Sequence, residues 1–191
     1  MAWGKNGTPV TLGGTADTVA ITDMTANKFN FFISHIIGVT NINESIEFNG
    51  NVNSVYSERS SKNGVTDTTA ISQPDITIAP TGGFVQSMVV GYVVSISGEE
   101  KLVMAWQQTG GTGATGAPNR SEVVGKFVPS PDADITRIDI NNGGTGDYTT
   151  NTNLSALGSD GVLYVVQDGA VYYETDTNKS YVLYNGSWTE L

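Results

Sequence analysis

Apolar and polar residues alternate in short blocks along nearly the whole chain, with Gly and Asn between the blocks. A period of two marks strands with one face buried. Thr18–Thr22 (TVAIT) is the first such block. In Phe29–Val39, Phe29, Phe31, Ile33, His35 and Ile37 fall on one face and Phe32 and Ile36 on the other, which predicts a strand partly buried on both sides. Ser45–Phe48 and Val52–Ser57 flank Asn49-Gly50, a pair that tolerates positive φ and predicts a tight hairpin. Residues 58–75 are polar, hold Asn63-Gly64, and read as a long hairpin or an exposed loop; Ile76–Ile78 is a short strand. Phe84–Ser97 is the longest apolar run, with Gly91 at a bulge or a point of close packing. A turn at Gly98-Glu99 leads into Lys101–Gln107, so these two blocks are expected to be antiparallel central partners.

Residues 108–120 form a Gly/Thr-rich stretch that reads as a long loop, the kind that often sits at a binding surface. Glu122–Val128 and Ile135–Ile140 are two more strands, separated by Pro129-Ser130-Pro131; Ile135, Arg137 and Asp139 alternate with Thr136, Ile138 and Ile140. Asn141–Asn153 is polar, and Leu154–Gly158 closes the unit. The only short helix candidates, Asp17–Asn27 and Asn153–Leu157, read equally as turns. The fold class expected is all-β, a jelly-roll-like antiparallel β-sandwich over residues 17–158.

Two segments flank it. Residues 1–16 carry four glycines and Pro9 without a sustained period, and predict an extended arm. Such an arm is ordered only by docking, on its own domain or on a neighbour, with Trp3 as the anchor. Residues 159–191 read as a small meander: Val162–Gln167, Ala170–Thr175, Ser180–Tyr184 and Ser187–Glu190, joined in part by Asp168-Gly169 and Asn185-Gly186. It gathers Tyr164, Tyr172, Tyr173, Tyr181, Tyr184 and Trp188, and a sheet this small needs to pack on the main domain or on copies of itself.

Composition sharpens this. Gly, Thr, Asn and Ser make up roughly 40% of the 191 residues against 15% charged, which suits a loop-rich β protein. The chain has no Cys, which excludes a disulfide framework, a thiolate metal site and a Cys nucleophile. Its net charge is -10, with few and scattered cations, so nucleic acid is not an expected partner. No apolar run is long enough for a membrane-spanning helix, and no membrane partner is expected. The first residues show no apolar signal core, so no secretory leader is expected there.

Catalytic chemistry is sparse. The single histidine, His35, lies in an aromatic strand and reads as a hydrogen-bonded core or interface residue. One His and no Cys give no nucleophile–base pair and no His-rich metal set. Gly110-Gly111-Thr112-Gly113 lacks the Lys-Ser/Thr of a phosphate loop. Asp132 with Asp134, and Asp147, Asp160 and Asp168 near glycine turns, supply oxygens of the kind hard cations use, but their spacing fits no calcium loop and solvated surface is the expected role. Glu99 and Glu100 sit at a hairpin tip. Tyr173, Tyr181 and Trp188 are candidates to stack on sugars, or else form the thin core of the C-terminal sheet. The sequons at Asn119 and Asn185 follow from the Asn/Ser/Thr bias. No enzyme activity and no cofactor are expected.

The stretch Gly161–Leu191, with VYYETDTNKSYVLYNGSWTEL, resembles the Tyr-rich meanders that end fibre and head-appendage proteins of tailed bacteriophages, and ITRIDINNGGTGDYTTNTNLSALGSD at 135–160 resembles their β-sandwich virion proteins. The resemblance implies a structural virion protein made in the host cytoplasm. It would be a capsid decoration or cement protein bound to the major capsid protein and to copies of itself, as a homotrimer. The other implied role is a tail-fibre or receptor-binding module that contacts host surface glycans. The partner-binding candidates are Trp3, Pro9, Tyr173, Tyr181 and Trp188.

Overall fold

A computed structural model describes residues 3–39, 42–78, 86–110, 114, 116–160, 168–185 and 187–191. The strands among them are β1 Gly4–Lys5, β2 Val10–Thr11, β3 Thr18–Ile21, β4 Phe29–Ile37, β5 Glu44–Phe48, β6 Tyr56–Lys62, β7 Thr68–Gln73 and β8 Ile76–Thr77. They continue as β9 Gln86–Val94, β10 Lys101–Gly110, β11 Asn119–Phe127, β12 Ile138–Asn142, β13 Asn153–Ser159, β14 Val171–Glu174, β15 Lys179–Tyr184 and β16 Ser187–Glu190. The described residues contain no helix, hence none long and apolar enough to cross a membrane. Neither helix candidate is a helix: β3 takes Thr18–Ile21 of the first and residues 22–27 are irregular, while β13 covers the second, because each strand supplies alternating apolar residues to one core (Val19 and Ile21, Leu154 and Ala156).

Every strand pair is antiparallel. The large sheet runs β1-β13-β4-β9-β10-β11-β6-β7, with β2 also on β13; the second runs β3-β12-β5-β8; β14-β15-β16 form a third, whose ladders among the described residues join only one another. The first two sheets make a sandwich. Phe32, Ile36, Val89, Val93, Val103, Val123 and Phe127 from the large sheet meet Val19, Ile21, Ile46, Phe48, Ile138 and Ile140 from the smaller one in a single buried cluster. Closure of that cluster sets the register, since a slip of one residue would turn each inward side chain to the other face.

The turn at Asn49-Gly50 has positive φ at both residues, yet it does not join a hairpin. β5 pairs with β12 and β8, whereas β6 pairs with β11 and β7, so the chain crosses here from one sheet to the other. Tyr56 staples the crossing. Its buried hydroxyl accepts from the Phe48 N–H (2.9 Å) and lies against the carbonyls of Phe48 (3.2 Å) and Asn51 (3.0 Å), and its ring stacks on Phe127 at 4.8 Å. Residues 58–75 do form a hairpin, β6 and β7, turned at Asn63-Gly64.

The 108–120 stretch is shorter as a loop than its composition implies. Gln108–Gly110 extend β10 and Asn119–Arg120 begin β11. β10 has partners on both edges, so its polar residues find backbone partners as readily as apolar ones. Residues 111–113 and 115 lie outside the described residues, as does the block 162–167 expected to open the meander. Ile135 is buried, but the strand it was expected to begin starts only at Ile138. The N-terminal segment lies along its own chain: β1 and β2 both pair with β13, and the buried Asn6 amide donates to Thr25 O and Asn30 Oδ1.

Candidate functional site

The outward face of the large sheet is the unusual surface. The register places side chains from successive strands in transverse rows. One row runs Leu157, Phe31, Tyr92, Met104, Val124, Arg59; the next runs Ser155, Ile33, Val90, Trp106, Glu122, Ser61. A third runs Asn153, His35, Met88, Gln108, Arg120. The outward positions of β4, β9 and β10 hold no Asp, Glu, Lys or Arg, in a chain of net charge -10. Charges lie at its two edges: the exposed Lys5 of β1, opposite Leu157, on one side, and on the side of β11 and β6 the pairs Arg59 with Asp67, Arg120 with Glu122 and Lys126 with Glu100.

This face has relief. Phe31 and Tyr92 pack with ring centroids 5.0 Å apart, and Tyr92 meets Trp106 edge to face at 6.4 Å. The three rings make a ridge. On one side of it Trp3, Phe31, Tyr92 and Leu157 line a hollow of about 280 Å³. On the other, Met104, Trp106, Val124, Arg59 and Glu122 are among the lining of a second, of about 260 Å³.

Of the candidate residues, Trp3 belongs to this face, where it half-closes the first hollow. Pro9 does not line either hollow; it is exposed just before β2, next to Thr8, whose N–H and hydroxyl both bond Asp23. Tyr181 and Trp188 lie on one face of the third sheet with Tyr172. Tyr172 stacks on Tyr181 at 6.2 Å and meets Trp188 edge-on at 6.0 Å, and with Glu174 they line a hollow of about 360 Å³. Tyr173 points the other way, as the period of two requires, and its hydroxyl donates to Asn178 Oδ1.

Other polar groups have internal roles. Asp132 receives the ammonium of the wholly buried Lys101 (2.7 Å) and the Gly98 N–H (2.6 Å); these bonds hold its carboxyl below the usual range. Lys101 also donates to the carbonyls of Ile96 and Glu99, which closes the β9–β10 turn. His35 pairs side chain to side chain with Gln86 on the outer face. Among the described residues no three His, Asp or Glu are grouped as a metal site.

Inside the sandwich one end is polar. Glu44 of β5 is fully buried and accepts from Ser87 of β9 and Gln107 of β10. Desolvation pushes its carboxyl up to about 7, against the two hydrogen bonds that favour the anion. Gln107 Oε1, Ser121 Oγ and the Tyr148 hydroxyl, all buried, have no hydrogen-bond partner among the described residues.

The residues of the ridge and hollows other than Trp3 were not among the sequence candidates. Their signal was present: in Phe84–Ser97 the apolar run does not alternate, so a strand covered only by its own core would leave Met88, Val90 and Tyr92 outside. The chain matches no family model, no curated protein and no solved structure.

Proposed function

We propose that this protein is a non-enzymatic structural component of a tailed-phage virion, a decoration or cement protein that binds the head surface and assembles through the outward face of its large sheet. The observation that carries this reading is that face: three adjacent strands with no formal charge at their outward positions, holding a ridge of Phe31, Tyr92 and Trp106 between an apolar hollow and a second one bordered by Arg59, Asp67 and Glu122. Exposed apolar patches with a polar rim mark surfaces that another protein covers. The connectivity supports the same reading. We read the orders β1/β2-β13-β4-β9 and β3-β12-β5-β8 as an eight-stranded jelly roll, with the hairpins β6–β7 and β10–β11 added at one edge. Jelly rolls recur in viral capsid and lectin domains, an analogy of fold and not of site.

Immunogold labelling of gradient-purified virions from the source culture tests it. Label on the head surface is the expected result; label confined to the particle-free lysate would overturn it.

A second reading, a receptor-binding or tail-fibre module, draws on the Tyr172–Tyr181–Trp188 face with Glu174 at its end. Aromatic faces stack on sugar rings, and a carboxylate accepts from hydroxyls. Binding on a glycan array that Trp188→Ala abolishes, with the fold kept, would favour it; a blank array would count against it.

A further inference from the structure

We infer that the occupant of the outward sheet face is a second copy of this chain, packed face to face about a two-fold axis. This inference rests on the assembly reading above and names the partner of that same surface.

Three observations carry it. The first is area. Met88, Tyr92, Met104, Trp106, Val124 and Leu157 are each 40–49% exposed. Side chains of this kind leave on the order of 500 Å² of contiguous apolar surface open, the upper end of what a monomer shows. With the polar positions of the same rows, the face approaches the ~800 Å² per partner that a standard interface buries.

The second is shape. A two-fold interface must be self-complementary, because the same patch lies on both sides. Here a ridge and a hollow lie side by side on one face. An axis running along the strands between the Tyr92–Trp106 ridge and the Met104–Val124 hollow seats each copy's ridge in the other's hollow. Two sheets meeting this way pack about 10 Å apart, the spacing of any sandwich. Met104, Trp106 and Val124 then form the floor of each seat and the ion pairs Arg59–Asp67 and Arg120–Glu122 its border.

The third is charge. Copies with a net charge of -10 repel over most of their surface. The outward positions of β4, β9 and β10 hold no Asp, Glu, Lys or Arg, so about this axis the paired Arg59, Asp67 and Glu122 that border the hollow face uncharged positions of the other copy and like charges do not meet.

Light scattering after gel filtration, with sedimentation equilibrium across a hundredfold range of concentration, tests this on the full chain. The expected mass is twice 20.1 kDa. Trp106→Glu is expected to weaken association by about 100-fold or more, since a two-fold counts each substitution twice. Val52→Lys, on an exposed loop position, is expected to leave the dimer unchanged. Circular dichroism and the melting temperature check that the Trp106 variant folds; Met104→Lys, in the neighbouring row, stands in if it does not. A monomer at every concentration overturns the inference, as does a trimer, and so does a dimer that folded Trp106→Glu and Met104→Lys leave intact. The virion reading is judged separately: a dimer without label on heads keeps the sheet contact and discards the location, and a monomer with label does the reverse.

Discussion

Tyr92 and Trp106 stand edge to face on the outside of the large sheet, ring centroids 6.4 Å apart and planes at 85°. Both are far from buried, at 47% and 40% exposure. Their contact contributes about 0.5–1.5 kcal/mol, but neither ring fills the core. Truncating both, Tyr92→Ala with Trp106→Ala, is therefore expected to lower monomer stability by only about 1–2 kcal/mol. Chemical denaturation at a concentration where the protein is monomeric measures this. A loss near that of a core aromatic, about 3–5 kcal/mol, would mean that these rings hold the fold together.

The inner side of the same strand behaves differently. Gly91 lies opposite Phe32 in the β4–β9 ladder, and the Phe32 ring covers it; a Cβ at Gly91 would come within 2.2 Å of that ring. Phe32 is itself fully buried, so the ring has nowhere to move. Gly91→Ala is expected to cost about 1–3 kcal/mol or more through overpacking. If the double variant Gly91→Ala, Phe32→Leu recovers much of that loss in a denaturation series, the clash is the cause. An unchanged deficit would place the effect in the backbone.

The glycine shows how far the sequence reaches. Position 91 interrupts an apolar strand, which signals close packing, but only the fold names Phe32 as the packer. Alternation in β3 and β12, with the short apolar blocks of β4, β9 and β10 between turn residues, was readable and points to the all-β class, because side-chain period is a local property. Partner choice is not local. Asn49-Gly50 has the chemistry of a hairpin turn, but burial of Phe48 and Tyr56 beside Phe127 assigns the flanking strands to different sheets. The outward face was legible in part: a run apolar on both faces announces a strand covered twice, while the alignment of Tyr92 with Met104 and Leu157 with Phe31 depends on register. Tyr173 was grouped with Tyr181 by composition, and parity separates them.

Tyr56 makes that crossing depend on one oxygen. Its hydroxyl is buried and serves the Phe48 N–H and the carbonyls of Phe48 and Asn51. Tyr56→Phe keeps the stack on Phe127 and leaves these groups short of a partner. The expected loss is about 1–3 kcal/mol, the cost of an unsatisfied buried donor. Hydrogen exchange should localise it: the Phe48 amide is expected to lose protection while core amides of β9 and β10 change only with global stability. Equal protection of Phe48 in both proteins would remove the staple from the account.

Glu44 links stability to pH. Its carboxyl ordinarily titrates at 4.5 and is raised to about 7 by burial. Between those values the folded state holds a proton that the unfolded state has released. Stability from this group is therefore full below pH 4.5, falls as pH rises, and levels off above about 7, a total of about 3 kcal/mol. Glu58, also raised to about 7 by burial, adds to the same slope but is only half-buried. The neutral acid also suits its neighbours: turning the Gln107 amide over would let its unpartnered Oε1 take the acid proton. Glu44→Gln mimics that neutral form at every pH. The variant is expected to match the wild type near pH 4.5 and to exceed it by up to about 3 kcal/mol at pH 8. Urea titrations of both proteins across this range give the difference directly. A constant gap would show that Glu44 stays ionised in the folded protein and that the two hydrogen bonds from Ser87 and Gln107 outweigh its desolvation.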